Sequence, residues 1–313
     1  MCILAGDFNF YAAGEQREYL AGHLSQPQES STYGVRAHFD AVFAKFLELC
    51  EFFSTDACEL IDADAFQQFL TAHWSRVFAP RRVEPDALQE YLPFVQVAPQ
   101  LSSWTLTYPQ FQELVEKLHD SAPGPDGIPY SVWRAHDNCT RILYDFYLYF
   151  LASQRLPDDF NEALGVFLPK GSQPGDDILV RREADTTRPI SLSNSDNKII
   201  SKALNCFLRD IVEITAHTQQ RGFVRGRQIV DNLIEMEAHG LVWGSVEGFD
   251  NAGDAMFDIA SAFPSISHVF LFAILTAMQL PSFVIAMLQA LYSNMTMRVV
   301  FRGKRYGLIQ CLR

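Results

Sequence analysis

Asp258 lies where an apolar segment gives way to a turn of small residues. The segment begins at residue 255 and predicts a β-strand, and Phe263 follows the aspartate five positions later. A carboxylate at the end of a strand can bind a divalent metal such as Mg²⁺, whose preferred ligands are hard oxygens. A bulky ring nearby can shape a substrate pocket beside that metal. Because a strand, an aspartate and a turn occur together in many α/β proteins, this arrangement alone does not identify a function.

Two cations are predicted to lie on a β-hairpin. Residues 166–170 form a short apolar strand that ends in Lys170, and residues 188–192, which start with Arg188, are its expected partner across a polar loop. Cations on such a hairpin can neutralise the phosphates of a bound nucleotide. The alternative is a surface hairpin whose two cations are merely solvated.

Residues 220–228 form a glycine-containing basic loop. Its glycines would let a sugar–phosphate strand approach the main chain, and three arginines would supply charge: Arg221, Arg225 and Arg227. An apparent helix before this loop carries Lys198, Lys202 and Arg209. Two interpretations of that helix stay open, a basic face along a nucleic-acid backbone and a solvated face.

The elements around these residues follow from local patterns. Residues 36–120 are predicted to be helical, with a capping box formed by Thr107 and Gln110. A turn with Gly127 at positive φ ends that region. The uncharged segment 269–292 is split by Pro281, which predicts two buried helices, with Ser282 capping the second, and no membrane span.

The charge of the 313-residue chain is unevenly distributed. Its formal net charge is -12, and residues 1–120 hold seven Lys/Arg against seventeen Asp/Glu, a balance of -10. The remaining residues hold eighteen against twenty, so the acidity belongs to the N-terminal part. The later part therefore has room for basic stripes that face phosphates. Six scattered cysteines and the absence of a recognisable signal peptide favour free thiols in an intracellular protein, in the nucleus or the cytoplasm.

Six segments, in the same order, resemble those of reverse transcriptases from non-LTR (LINE-type) retrotransposons. They are SAPGPDGIPYSVWR at 121–134, VFLPK at 166–170, RPISL at 188–192, QRGFVRGR at 220–227, the stretch around Asp258, and LYS at 291–293 with the strand pair after it. The resemblance covers about residues 105–313. It departs from the family at Arg225, where a proline is usual, and at Pro264, where an aspartate or a small polar residue is usual.

The resemblance implies roles for several of these residues. Asp258 would bind one or both Mg²⁺ (or Mn²⁺) ions of a two-metal nucleotidyl transfer, and Phe263 would be the steric gate that favours dNTPs. Lys170 and Arg188 would contact the incoming nucleotide. The loop would lie near an RNA template and a DNA primer, with contacts from Gln220, Arg221, Gly222, Arg225 and Arg227.

The N-terminal GDFN string resembles a strand of the endonuclease/exonuclease/phosphatase fold, in which Asp7 and Asn9 would correspond to residues that bind metal and phosphate. LINE elements place such a domain before the reverse transcriptase. Since neither the preceding strands nor a closing Ser-Asp-His motif is present, we expect a remnant without nuclease activity.

The expected fold class is α+β, an incomplete right-hand polymerase with fingers and part of the palm behind a mostly helical extension. The expected divisions are residues 1–10, 11–104 and 105–313. The sequence ends at Arg313, before the family's RGVRQG and Tyr-x-Asp-Asp segments, and the Asp176-Asp177 pair lies in a polar loop, an unsuitable substitute. We therefore expect a truncated, poorly soluble and inactive polymerase, or alternatively a nucleic-acid-binding remnant without chemistry. The oligomeric state stays open.

Overall fold

The computed structural model describes residues 63–172, 174, 182–245, 257–259, 261–301 and 304–312. Nine helices and four strands are present in these ranges. The helices are α1 (Ala63–Val77), α2 (Pro85–Tyr91), α3 (Tyr108–Glu116), α4 (Tyr130–Ala135), α5 (Asp137–Ser153), α6 (Ser195–Thr215), α7 (Val230–Gly244), α8 (His268–Ala277) and α9 (Ser282–Tyr292). The strands are β1 (Glu162–Pro169), β2 (Thr187–Ser193), β3 (Thr296–Phe301) and β4 (Lys304–Gln310).

The four strands form one mixed sheet in the order β2-β1-β3-β4. The β1–β2 and β3–β4 pairs are antiparallel, as expected from the sequence, whereas β1 and β3 are parallel. Gly165 lies at the parallel seam, where a Cβ would come within 2.5 Å of the Met297 side chain. The mixture of helices with a sheet confirms the α+β character predicted above.

Helix α1 covers one face of this sheet. Leu70 and Trp74 on α1 share a hydrophobic cluster with Phe167 of β1, Met297 of β3 and Ile309 of β4. The opposite face carries a second cluster around Leu164, Val166 and Leu192, to which Ala122 also contributes. Helix α1 therefore belongs to the packed unit that contains the sheet, although the predicted division at residues 104 and 105 itself stays a prediction.

The helical core joins α3, α5, α6, α8 and α9. Tyr147 of α5 is fully buried, and its hydroxyl accepts a hydrogen bond from the Leu106 main-chain N–H at 3.2 Å. Its burial raises the pKa of the Tyr147 phenol to about 12. The extended segment before α3 packs into the same core, because the Ala98 N–H donates to the Met278 carbonyl at 2.8 Å. Residues 95–107, which form this extended segment, and residues 78–84, which precede α2, interrupt the helical region predicted for 36–120.

Local predictions were mostly confirmed, with two corrections. Thr107 and Gln110 form the capping box, and Gly127 has a φ of 72°. Ser282 does not cap α9, because it is the first helical residue and Pro281 occupies the cap position. The strand predicted around Asp258 is absent from the three described residues there, Phe257 to Ile259. These residues lie outside the sheet, Phe257 is 91% exposed, and an apolar run without a neighbouring strand has no ladder to join.

Several predictions fall outside the described residues. They concern the GDFN remnant with Asp7 and Asn9, the helical pattern before residue 63, and the Asp176-Asp177 pair. Among the described helices, none is both long and apolar enough to cross a membrane. Helix α7 buries no side chain and presents large apolar residues to solvent, including Leu233, Leu241 and Trp243.

Candidate nucleotide and nucleic-acid site

The β1–β2 hairpin brings Lys170 and Arg188 together. Its register pairs Leu168 with Arg188, and the Lys170 N–H donates to the Thr186 carbonyl at 2.8 Å. Lys170 directly follows β1 and Arg188 is the second residue of β2, so both cations lie at the loop end of the hairpin. The Lys170 ammonium also donates to the Asp185 carbonyl at 2.8 Å, and Arg188 is exposed. The hairpin therefore carries two cations at its loop end.

The Pro-Asp-Gly turn fixes the far end of this hairpin. The Asn194 side-chain oxygen accepts a hydrogen bond from the Asp126 N–H at 3.2 Å, just where β2 gives way to α6. The Ser195 hydroxyl donates to the Ile128 carbonyl and accepts from the Trp133 indole, both at 2.7 Å. These contacts hold the turn against the junction of β2 and α6. Asp126 thus acts in the structure as part of a scaffold.

Arg227 anchors the basic loop to the end of α6. Its guanidinium donates to four main-chain carbonyls, at distances of 2.5 to 3.1 Å: those of Glu213, Ala216, His217 and Gln220. A cation at the C-terminus of a helix satisfies carbonyls that have no partner within the helix and interacts favourably with the helix dipole. Arg227 therefore fixes the path of the loop.

The other two arginines of the loop pair with carboxylates. Arg225 lies 2.9 Å from Glu213 and 3.7 Å from Asp210, both in the last turns of α6. Arg221 donates to the Asn232 side chain at 3.0 Å and pairs with Glu235, which ties the loop to α7. The Gln220 amide donates to the Gly222 carbonyl at 3.0 Å. The positive charge predicted for this loop is thus largely matched by acids of the two flanking helices.

Phe223 and Phe263 connect the loop to the turn after Asp258. Their ring centroids are 6.4 Å apart with an interplanar angle of 85°, an edge-to-face contact. Phe263 begins a 3₁₀ turn, Phe263–Ser265, and remains 40% exposed. The Asp258 carboxylate is exposed in the chain that leads into this turn. The structure therefore brings the loop into contact with the segment that carries the candidate metal ligand.

Among the described residues, no group of three or more His, Cys, Asp or Glu side chains could hold a metal ion. Asp258 therefore belongs to no such group within the described part of the chain. This is compatible with Mg²⁺ only if other oxygens complete its shell, since Mg²⁺ usually uses one or two carboxylates together with water and substrate phosphates.

Contacts within the structure account for two of the three cations on α6, the helix whose basic residues the sequence left with two interpretations. Lys198 on α6 donates to the Ala122 carbonyl at 3.0 Å and approaches the Tyr130 ring, so it holds the segment before the Pro-Asp-Gly turn. Arg209 pairs with its neighbour Asp210 at 3.5 Å. The sequence analysis did not predict the ring contact of Phe223 with Phe263, nor the hydrogen bonds from Arg227 to main-chain carbonyls. The acids that recur along the ends of α6 and α7 are the signal that could have indicated internal pairing of the arginines.

His268 supplies a pH-dependent contribution to stability. It is the first residue of α8, lies 5.0 Å from the Tyr292 ring, and has its pKa lowered by burial. In the unfolded state the histidine has a pKa of about 6.5, so below that pH the unfolded state binds more protons than the folded state. We expect the free energy of unfolding to fall as the pH drops below about 6.5. Denaturant titrations of the wild type and of His268→Phe should show a smaller decrease in the variant, and equal decreases would contradict this assignment.

Comparison with known proteins gives the class of this domain. Residues 169–311 match the reverse transcriptase (RNA-dependent DNA polymerase) family. The matched region starts at the end of β1 and includes the hairpin loop, the basic loop, Asp258 and the β3–β4 pair. This region is therefore similar to a reverse transcriptase domain.

A curated relative indicates the kind of element. The chain is 26% identical over 200 residues to the Transposon TX1 uncharacterized 149 kDa protein of Xenopus laevis, an alignment that covers 58% of this chain and 14% of that protein. The chain therefore spans a small part of the length of this relative. Together with the ordered motifs, the two matches support a relationship to non-LTR retrotransposon reverse transcriptases.

Proposed function

We propose that this chain provides the nucleotide-binding part of an RNA-directed DNA polymerase that extends a DNA primer on an RNA template. The observation that carries the proposal is the β1–β2 hairpin at the start of a reverse transcriptase match, with Lys170 and Arg188 at its loop end. Phosphoryl transfer depends mainly on positioning and charge neutralisation, which two adjacent cations can supply to a triphosphate. We interpret the sheet and its helices as fingers and part of the palm.

Asp258 is the proposed metal ligand of this site. In the two-metal nucleotidyl transfer typical of the family, the exposed Asp258 carboxylate would contribute to the binding of Mg²⁺ or Mn²⁺, which supplies charge stabilisation at the reacting phosphate. The ring of Phe263, close to Asp258 along the chain, would discriminate against a ribose 2′-hydroxyl. The edge contact with Phe223 gives this ring a fixed neighbour.

The basic loop is the proposed template and primer side of the site. We assign it five residues whose main chain or side chains would lie along a nucleic-acid strand: Gln220, Arg221, Gly222, Arg225 and Arg227. Arg225 is the more exposed of the two loop arginines that pair with carboxylates, with 56% of its side chain exposed against 14% for Arg221, so it could exchange its carboxylate partners for phosphates. Phosphate contacts of this kind make affinity depend on salt concentration.

We further propose that the 313 residues assayed alone do not polymerise. A metal cage built on one carboxylate binds Mg²⁺ weakly, because each charged oxygen ligand adds to the affinity. The alternative function is binding of RNA or of an RNA–DNA hybrid without chemistry. The internal contacts of the basic loop pre-organise a binding surface, and this supports the alternative of binding without chemistry.

A primer-extension assay with RNA template, DNA primer, dNTPs and either Mg²⁺ or Mn²⁺ tests these proposals. We expect salt-sensitive binding of the hybrid without extension, and binding that survives Asp258→Ala. Template-dependent extension would contradict the proposed inactivity. If such extension were lost in Asp258→Ala but not in Asp185→Ala, an exposed aspartate of the hairpin loop, it would support the metal-binding role of Asp258. Extension that persists in Asp258→Ala would contradict that role.

A further inference from the structure

Phe223 combines two features that both work against the stability of the fold. Its φ is 61°, in the left-handed region that bulky side chains avoid, and its side chain is 63% exposed. Among the described residues, the other non-glycine residues with positive φ are small or polar: Gln154, Ser261, Gln279 and Asn294. A phenylalanine that gains little burial from a strained backbone suggests a role other than packing.

The surroundings of the loop hold Phe223 in this conformation. Arg227 ties the segment after it to the carbonyls of Glu213 and Ala216 at the end of α6 and to two carbonyls that follow the helix, and Arg221 ties the segment before it to α7. Strained residues persist when neighbouring contacts determine them in this way. The exposed ring is thus presented by a fixed loop, so a ligand that uses it meets a pre-organised surface.

The chemistry of the exposed surface fits a nucleobase. Phe223 and Phe263 are both exposed and meet edge to face, so they present aromatic surface to solvent next to the main chain of Gly222. The space beside Gly222 is open, because a Cβ at that residue would meet only the Gln220 amide, at 3.8 Å. Bases stack on such rings irrespective of sequence. The neighbouring arginines have carboxylate or carbonyl partners, and the exposed Phe223 ring adds an aromatic contact to what this loop can offer a ligand.

We propose that Phe223 is a base-stacking residue that binds the single-stranded RNA template beside Phe263. The proposal rests on the function proposed above and adds a contact that charge alone does not provide. It also separates two tasks within the loop. Arg227 positions the main chain, and Phe223 contacts the ligand.

The test is binding of a short, unstructured, fluorescein-labelled RNA to the 313-residue chain, measured by fluorescence anisotropy. Phe223→Gly removes the ring without added backbone strain, since glycine adopts positive φ freely, so the variant should fold at least as well as the wild type. Phe223→Trp keeps an aromatic face in the same conformation. Phe94→Ala removes another highly exposed phenylalanine, on a different element, as the matched control.

We expect Phe223→Gly to weaken RNA binding by about 5- to 150-fold, the range for one stacked base. The slope of affinity against salt should stay unchanged, because no phosphate contact is lost. Phe223→Trp and Phe94→Ala should bind within about twofold of the wild type, a margin well below the loss of a stacked base.

Three results would overturn the inference. They are binding by Phe223→Gly within the margin of the control, a loss that Phe223→Trp does not restore, and an equal loss in the exposed control Phe94→Ala. In each of these cases the wild type still binds RNA, so the polymerase-type function remains supported. A wild-type chain that binds no nucleic acid would overturn both proposals together.

Discussion

Replacing Trp74 by alanine is expected to lower the free energy of unfolding by about 3–5 kcal/mol, the usual cost of removing a buried tryptophan. Trp74 is 1% exposed and packs against Phe167 of β1 at 6.1 Å between ring centroids. It also contacts Phe78 beyond the end of α1, at 6.0 Å. Chemical denaturation followed by circular dichroism would measure the loss. We expect this loss because α1 covers one face of the sheet and Trp74 is one of the two buried residues of α1 in that cluster.

Phe69→Ala is the matched control for this prediction. Phe69 lies on the same helix but is 49% exposed, so its replacement should change stability by less than about 1 kcal/mol. Trp74→Phe should cost less than Trp74→Ala, because it keeps an apolar ring and removes an indole N–H that has no hydrogen-bond partner among the described residues. Equal stability of Trp74→Ala and the wild type would show that α1 is not part of the core.

This packing has a consequence for the reverse transcriptase domain. Helix α1 precedes residues 169–311, yet it covers the strand that leads to Lys170 and lies beside the hairpin. Burial, together with nearby Arg76 and Lys170, lowers the pKa of His73 on α1, against an opposing effect of Asp185. The hairpin loop and α1 are therefore electrostatic neighbours. A loss of α1 packing should disturb the two cations proposed to bind the nucleotide.

Much of the fold was predictable because it depends on local chemistry. The Thr107–Gln110 capping box, the positive φ of Gly127 and the helix break at Pro281 each follow from a few adjacent residues. The β1–β2 hairpin could also be predicted, since its two apolar runs flank a polar loop. These features require no knowledge of distant contacts.

The parts that were not predictable depend on long-range contacts. The parallel pairing of β1 with β3 joins residues about 130 positions apart, such as Gly165 and Val299, and no local pattern specifies it. The segment around Asp258 is apolar enough to predict a strand, but strand formation also requires a partner, and residues 257–259 lie outside the sheet. The hydrogen bonds of Arg227 were also not predictable, because a sequence shows the charge of an arginine but not the main-chain carbonyls that it contacts.

Replacing Gly124 by alanine is expected to lower the free energy of unfolding by about 1–3 kcal/mol, at the upper end of that range. A Cβ at residue 124 would lie 2.3 Å from both the main-chain nitrogen and the side-chain oxygen of Asn194. Main-chain atoms at a junction of β2 and α6 cannot move aside without disturbing both elements. The hydrogen bond from Asp126 to Asn194 would be lost as well. Thermal and chemical denaturation of the variant would measure the effect.

Gly240→Ala gives a control of opposite sign. Gly240 lies inside α7, and a Cβ there would meet nothing within 4 Å. Because alanine favours the helix relative to glycine, this variant should gain about 0.5–1 kcal/mol. If Gly124→Ala were as stable as the wild type while Gly240→Ala showed its expected gain, the turn at residues 124–127 would not be packed against Asn194. The hairpin with Lys170 and Arg188 would then lack the anchor that the described contacts give it at the end of β2.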